Sequence, residues 1–333
     1  MPATPQARPD AWAVIVLMLF GVALGVAAGE ISLRAYGFEY RTFPVVQFGW
    51  PQPVEIKDVF VPDRELFWVT KDYGARLAEM RRTAPGIIFL GDSCTQFADW
   101  SERTLQALAR RAPALAHGGK LAVAGWSSEQ GLRQLRRDVL PLHPRIATIY
   151  YGWNDHWIAF GKPDAEVQTT AVSFWLAEHL RLMQLFVKLR LQPSQAVQDE
   201  PSNRVPLERY RANLEEMIRL LRRSGTRAII ITAASAHERG HEPPYLARRH
   251  LRHLEDLVPL HASYVQATRE AATAAGGELC DAAAKFAGLP PPIQRYFSGD
   301  GIHVNGRGSR ALAEIVTSCV VSGDAAEHRS KEP

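Results

Sequence analysis

Gly86-Ile87-Ile88-Phe89-Leu90-Gly91-Asp92-Ser93-Cys94 is the stretch on which the fold of this 333-residue chain turns. Its apolar run is too short for a helix, and it ends abruptly in a glycine and two polar residues. Short, apolar and followed by a turn, it reads as a strand. Comparable short runs recur at 120–124, 145–151, 227–232 and 277–280. Between and after them lie helix-period segments near 100–112, 128–138, 206–224, 244–274 and 306–321. Pro206 ahead of Leu207-Glu208 suits a helix start, and Ser224-Gly225 its end. The alternation predicts βαβ units, hence the α/β class with five parallel strands in a doubly wound sheet. A flavodoxin-like order 2-1-3-4-5 puts the ligand crevice at the carboxyl ends of the first and third strands.

The length supports one sizeable core plus appendages. We place the main domain at 86–322, with a helical insertion at about 156–205. Within the insertion, 169–191 reads as one apolar-rich helix and 192–204 as a loop rich in Pro, Ser and Gln. That helix either packs on the sheet or on the 30–85 segment, or forms a flap over the crevice. Residues 323–333 read as a disordered tail.

The net charge of +4 comes from scattered pairs such as Arg110-Arg111, Arg136-Arg137, Arg222-Arg223 and Arg248-Arg249, which suit solvated helix faces. With no lysine-rich run, zinc-finger spacing or basic–aromatic interleaving, nucleic acid is not an expected partner. Three cysteines are too few for a disulfide framework or a cysteine metal site. Cys280 and Cys319 could pair, which the sequence leaves open together with the redox compartment. Cys94 is a candidate free thiol.

Residues 11–29 form an uninterrupted uncharged stretch, apolar on all faces. At ~1.5 Å of rise per residue it is just long enough to cross a bilayer core. It exceeds the ~7 to 15 residues of a signal-peptide core, so we expect a retained single-pass anchor behind a tail at 1–10. The rival is a signal peptide cleaved near Val26-Ala27-Ala28. Arg8 is offset by Asp10, and Glu30, Arg34 and Arg41 follow the run, so charge does not orient it. An extracytoplasmic main domain is an expectation. Residues 30–85 carry Pro44, Pro51, Pro53 and Pro62 among Phe48, Trp50, Phe60, Phe67 and Trp68. They read as a juxtamembrane segment packed on the main domain.

Four strand-end turns carry the chemistry. Ser93 sits where the first strand breaks toward a helix, whose N-terminal N–H groups favour developing negative charge. Gly125 follows the second strand, where the missing side chain lets backbone approach a ligand. Asn154 follows the third within Gly152-Trp153-Asn154-Asp155. Asp300-Gly301-Ile302-His303 spaces a carboxylate and an imidazole three apart near the C-terminus. Each alone reads equally as an ordinary turn, an Asx-turn or a surface pair. Together they supply a nucleophile, a backbone donor, an amide donor and an acid–base pair at one sheet edge. His237-Glu238-Arg239-Gly240-His241 has the spacing of a zinc peptidase, but that chemistry needs a helix. Gly240 and Pro243-Pro244 oppose one, so we expect a loop at the crevice rim and no metal.

These blocks resemble the SGNH hydrolases, also called GDSL esterases and lipases, here of a membrane-anchored bacterial kind, over about 86–321. The resemblance implies a flavodoxin-like three-layer α/β/α sandwich and a serine ester hydrolase that needs no cofactor. It further implies Ser93 as nucleophile, His303 as base, Asp300 orienting it, and Ser93, Gly125 and Asn154 as the oxyanion hole. The sequence departs from the pattern at Leu121-Ala122-Val123-Ala124, where many members carry an asparagine and an extra glycine, and at Cys94. The substrate is expected to be a small-molecule, lipid or glycan ester. An O-acyltransferase or deacetylase acting on a cell-surface glycan, or a non-catalytic tethered binding protein, would share the fold.

Overall fold

Ile87, Ile88, Phe89 and Leu90 are completely buried, as a central strand requires. The computed structural model describes residues 11–40, 59–159, 163–191, 202–248 and 250–329. Two compact units emerge, one from 1–42 with 169–195 and the other from 43–168 with 196–333.

The strands are β1 (Phe60–Asp63), β2 (Phe67–Thr70), β3 (Ile87–Gly91), β4 (Gly118–Lys120), β5 (Ile146–Tyr150), β6 (Arg227–Ile231) and β7 (Glu278–Cys280). The helices are α1 (Ala11–Ala35), α2 (Tyr73–Thr83), α3 (Ser93–Gln96), α4 (Trp100–Arg111), α5 (Ser128–Gln134), α6 (Ala171–His179), α7 (Arg181–Leu191), α8 (Leu207–Arg223), α9 (Leu257–Ala275), α10 (Ala282–Ala287) and α11 (Gly306–Arg329).

In the larger unit β3 to β7 form a parallel sheet ordered β4-β3-β5-β6-β7, which is the 2-1-3-4-5 order. Ile87, Phe89, Ile146, Ile229 and Ile231 face a core built with Trp100 and Leu108 of α4 and Leu312, Val316 and Val320 of α11. Alternate residues point to the other face, where α8 packs beside α9 and α5. The result is a flavodoxin-like α/β/α sandwich. The run expected as a strand at 120–124 pairs only as far as Lys120 in regular register. Leu121 and Val123 nevertheless still donate to Phe89 O and Gly91 O along β3. A disulfide joins Cys280 at the end of β7 to Cys319 of α11.

Three expectations need correction. The helix read over 244–274 begins only at Leu257, with Pro259 in its first turn where no N–H is required; Pro244–Arg248 is one short turn. The single helix read over 169–191 is two, because Leu180 is extended (φ −113°, ψ 121°). The last helix continues to Arg329, into the stretch read as a tail.

Within 30–85, the sequence hid a hairpin and a helix. Pro62 pairs with Trp68 in a two-stranded sheet that needs no donor from it. Asp63 Oδ1 accepts the Glu65 and Leu66 amides to close the turn. Trp68 donates to Ala124 O and receives Trp126 Nε1–H on its own carbonyl, which ties the hairpin to the turn after β4. Pro44, Phe48, Trp50, Pro51 and Pro53 lie outside the described residues.

The smaller unit contains α1, α6 and α7. The 169–191 helices therefore group with the N-terminal helix.

Candidate active site

Ser93 is the first residue of α3, immediately beyond β3. A Cβ on Gly91 would lie 2.8 Å from Tyr150 O, so only glycine fits where β3 turns beside β5. Asp92 caps the new helix, its Oδ1 accepting the Cys94 amide at 2.9 Å, and its Oδ2 accepts Asn154 Nδ2–H at 2.9 Å. The turns after β3 and β5 are thus fastened together. Burial pushes the Asp92 carboxyl above its ordinary value, against the hydrogen bond from Cys94. Cys94 is buried, and burial first, then the Asp92 charge, drives its thiol well up, which leaves it inert beside the serine.

Although 210 residues separate them, His303 Nε2 lies 2.8 Å from Ser93 Oγ. His303 Nδ1 lies 2.6 Å from Asp300 Oδ2. Asp300 Oδ1 accepts the Ile302 and His303 amides at 2.9 and 3.0 Å, wrapping the turn around the carboxylate. Burial would raise Asp300, but His303 and these amides outweigh it and bring the carboxyl down to about 2. Burial pulls His303 down, yet the Asp300 carboxylate prevails and holds the imidazole above its ordinary value. With Nδ1–H on Asp300, Nε2 is free to accept the serine proton.

His237 braces this turn from behind. Its Nε2–H donates to Asp300 O at 2.8 Å, Ser235 Oγ donates to its Nδ1 at 3.1 Å, and the Ala236 amide donates to Gly301 O at 2.9 Å. A Cβ on Gly301 (φ +70°) would lie 2.7 Å from His237 Nε2. The segment around His237 and His241 is extended and turned, not helical, so the two imidazoles do not share a helix face. Among the described residues no group of three or more His, Cys, Asp or Glu could hold a metal ion.

Gly125 takes φ +80° in the turn after β4. Its carbonyl accepts Arg204 Nη1–H at 2.8 Å, and Arg204 pairs with Asp164 at 2.9 Å, both fully buried. Ser127 Oγ donates to the same carboxylate at 2.7 Å. This ion pair orients the Gly125 peptide. Arg204→Met is expected to strand the Asp164 charge and cost about 3 to 5 kcal/mol of stability. The drop would register as a lower denaturant midpoint; an unchanged midpoint would show that the pair contributes nothing to stability.

Asn154 sits half-buried in the turn after β5, oriented by Asp92. Its neighbour Asp155 instead accepts the Ser128 amide at the start of α5. Burial raises the Asp155 carboxyl to about 7.

The sequence matches the GDSL-like lipase/acylhydrolase family over residues 89–311, more than half of the chain. The chain belongs to that family. As a GDSL-like hydrolase it is a carboxylic ester hydrolase, and its serine block reads Gly91-Asp92-Ser93-Cys94. Among solved structures it is similar to a GDSL-like lipase from Bacteroides thetaiotaomicron, at 15% identity, over 76% of this chain and 98% of that one, with a TM-score of 0.47. It is also similar to a lipase/acylhydrolase from Enterococcus faecalis, at 16% identity, over 71% and 95%, with a TM-score of 0.46. A third is an acetylxylan esterase from Geobacillus stearothermophilus, at 13% identity, over 70% and 93%, with a TM-score of 0.45. No curated protein sequence matches it.

Ser93, His303 and Asp300 come together in one hydrogen-bonded row, and Asn154 joins them through Asp92. Gly125 stands in its turn with its carbonyl taken by Arg204. Sequence reasoning missed Asp92 as a link, His237 as a brace and the Asp164–Arg204 pair. Only Asp92 carried a local signal, as a helix-capping residue two before the amide it accepts.

Proposed function

We propose that this hydrolase cleaves esters through an acyl-enzyme on Ser93. The row Ser93 Oγ, His303 Nε2, His303 Nδ1, Asp300 Oδ2, with separations of 2.8 and 2.6 Å, carries the reading. His303 takes the hydroxyl proton as Ser93 attacks the ester carbonyl, and Asp300 stabilises the imidazolium that forms. The backbone N–H groups of Ser93 and Gly125 and the second amide hydrogen of Asn154 receive the oxyanion. His303 returns its proton to the leaving alcohol, and water repeats the sequence to release the acid.

A fluorophosphonate probe should label the protein stoichiometrically at Ser93; an unlabelled folded protein would exclude an activated serine. Asn154→Ala is expected to lower kcat by roughly 10²- to 10³-fold with little change in KM. A change confined to KM would make Asn154 a binding group.

The substrate class we favour is a short-chain ester, including O-acetyl groups on glycans. Phe97 supports this, because its exposed ring lies 6.3 Å from His303 and offers a flat face beside the serine. We also propose that α1 spans a membrane and is retained, with the hydrolase outside the cytoplasm. The helix is 25 residues long and buries none of them. The Cys280–Cys319 bond suits an oxidising compartment.

A further inference from the structure

The apolar run of α1 ends at Glu30, and that carboxylate does more than mark a boundary. Its Oε1 accepts the Arg181 amide and its Oε2 the Leu182 amide, each at 3.0 Å, so Glu30 caps α7. Arg34, paired with Glu30, donates to His179 O at 2.7 Å and so holds the end of α6. A Cβ on Gly29 would lie 3.3 Å from Leu182 Cδ2, leaving no gap between α1 and the α6–α7 corner. Farther along α7, Gln184 Oε1 accepts the Tyr40 amide, and Lys188 lies 5.5 and 5.9 Å from the ring centres of Phe38 and Tyr40. So α7 rises from the level of Gly29 to that of Phe38, away from the apolar run, and its corner with α6 is the end nearest that run.

At that end the hairpin is apolar and uncovered. No residue of α6 is buried; Val172 is 69% and Trp175 54% exposed. Trp175 precedes the corner by less than two turns, which keeps it within ~8 Å of the Glu30 level at ~1.5 Å per residue. The headgroup zone on each side of a bilayer is of that thickness, roughly 5 to 8 Å. Tryptophan prefers this zone, and Arg181 and Lys188 follow Trp175 on α7, where cations favour the headgroups.

We propose that α6 is an interfacial membrane helix, with Trp175 and Val172 inserted at the headgroup–acyl boundary beside the point where α1 leaves the bilayer. The occupant of its exposed face is the lipid surface itself. The inference rests on α1 spanning the membrane, because continuity with α1 fixes the depth.

The test uses the full chain in vesicles of phosphatidylglycerol and phosphatidylethanolamine. Single nitroxide labels are carried by Trp175→Cys, Phe20→Cys and Arg110→Cys; the native cysteines are buried or paired. Power-saturation spectroscopy then compares access of oxygen with that of a water-soluble nickel chelate. The oxygen-to-nickel ratio at 175 should exceed that at 110 several-fold and fall below that at 20. Equal ratios at 175 and 110 with a high ratio at 20 would overturn the interfacial helix and leave the anchor standing. Equal ratios at all three positions would overturn the anchor and the helix together.

Discussion

Ser93→Ala is expected to lower turnover of an aryl acetate by roughly 10⁶-fold, the scale on which loss of a serine nucleophile acts in hydrolases of this chemistry. The substitution removes one oxygen at the half-buried start of α3. It leaves intact the Asp92 cap, which uses the Cys94 amide, so folding should be unaffected. A circular dichroism melt matching the parent, with turnover lowered on that scale but still above the uncatalysed rate because the oxyanion donors remain, is the expected pair of observations. Activity within tenfold of the parent would remove Ser93 from the mechanism.

Asp300→Asn is the second large effect, expected at roughly 10⁴-fold in kcat, because the amide oxygen stays on the Ile302 and His303 N–H groups, the NH2 then faces Nδ1, and the imidazole loses its required tautomer. The substitution also shifts the pH dependence. The reaction needs neutral His303, so kcat/KM rises with pH through the His303 ionisation. In the parent this lies above the ordinary value of 6.5, because Asp300 favours the charged imidazole. Without the carboxylate, burial is left to disfavour that charge. The acid limb of the residual activity should therefore move to lower pH, and a limb that stays in place would mean that another group sets it.

The sheet, and the turns whose side chains Ser93, Asp300 and His303 come together, were readable for one reason: local sequence encodes them. Strands β3, β5 and β6 are buried on both faces, so each is a mostly apolar run, interrupted only by Thr148 in β5 and opened by Arg227 in β6. The Asp300–His303 pair closes within a single turn. Edge strand β4 was harder, since only Gly118–Lys120 pair regularly and the apolar residues follow them. The β1–β2 hairpin was lost because Pro62 argues against a strand until its edge position is known. Tertiary links defeated sequence reading altogether. His237 lies 63 positions from Asp300, and Arg204 lies 79 from Gly125; both act through a backbone carbonyl, which any residue type provides. Glu30 capping a helix 151 residues away is of the same kind.

The Asp164–Arg204 pair also has a topological consequence. Asp164 N donates to Arg204 O, Arg204 N to Trp157 O, and Ala159 N to Ser202 O, so the chain leaves and re-enters the sandwich through one zipped neck. Arg204, part of that neck, grips the Gly125 carbonyl. An appendage of different length or character could be spliced beyond that neck while the peptide beside the serine keeps its orientation.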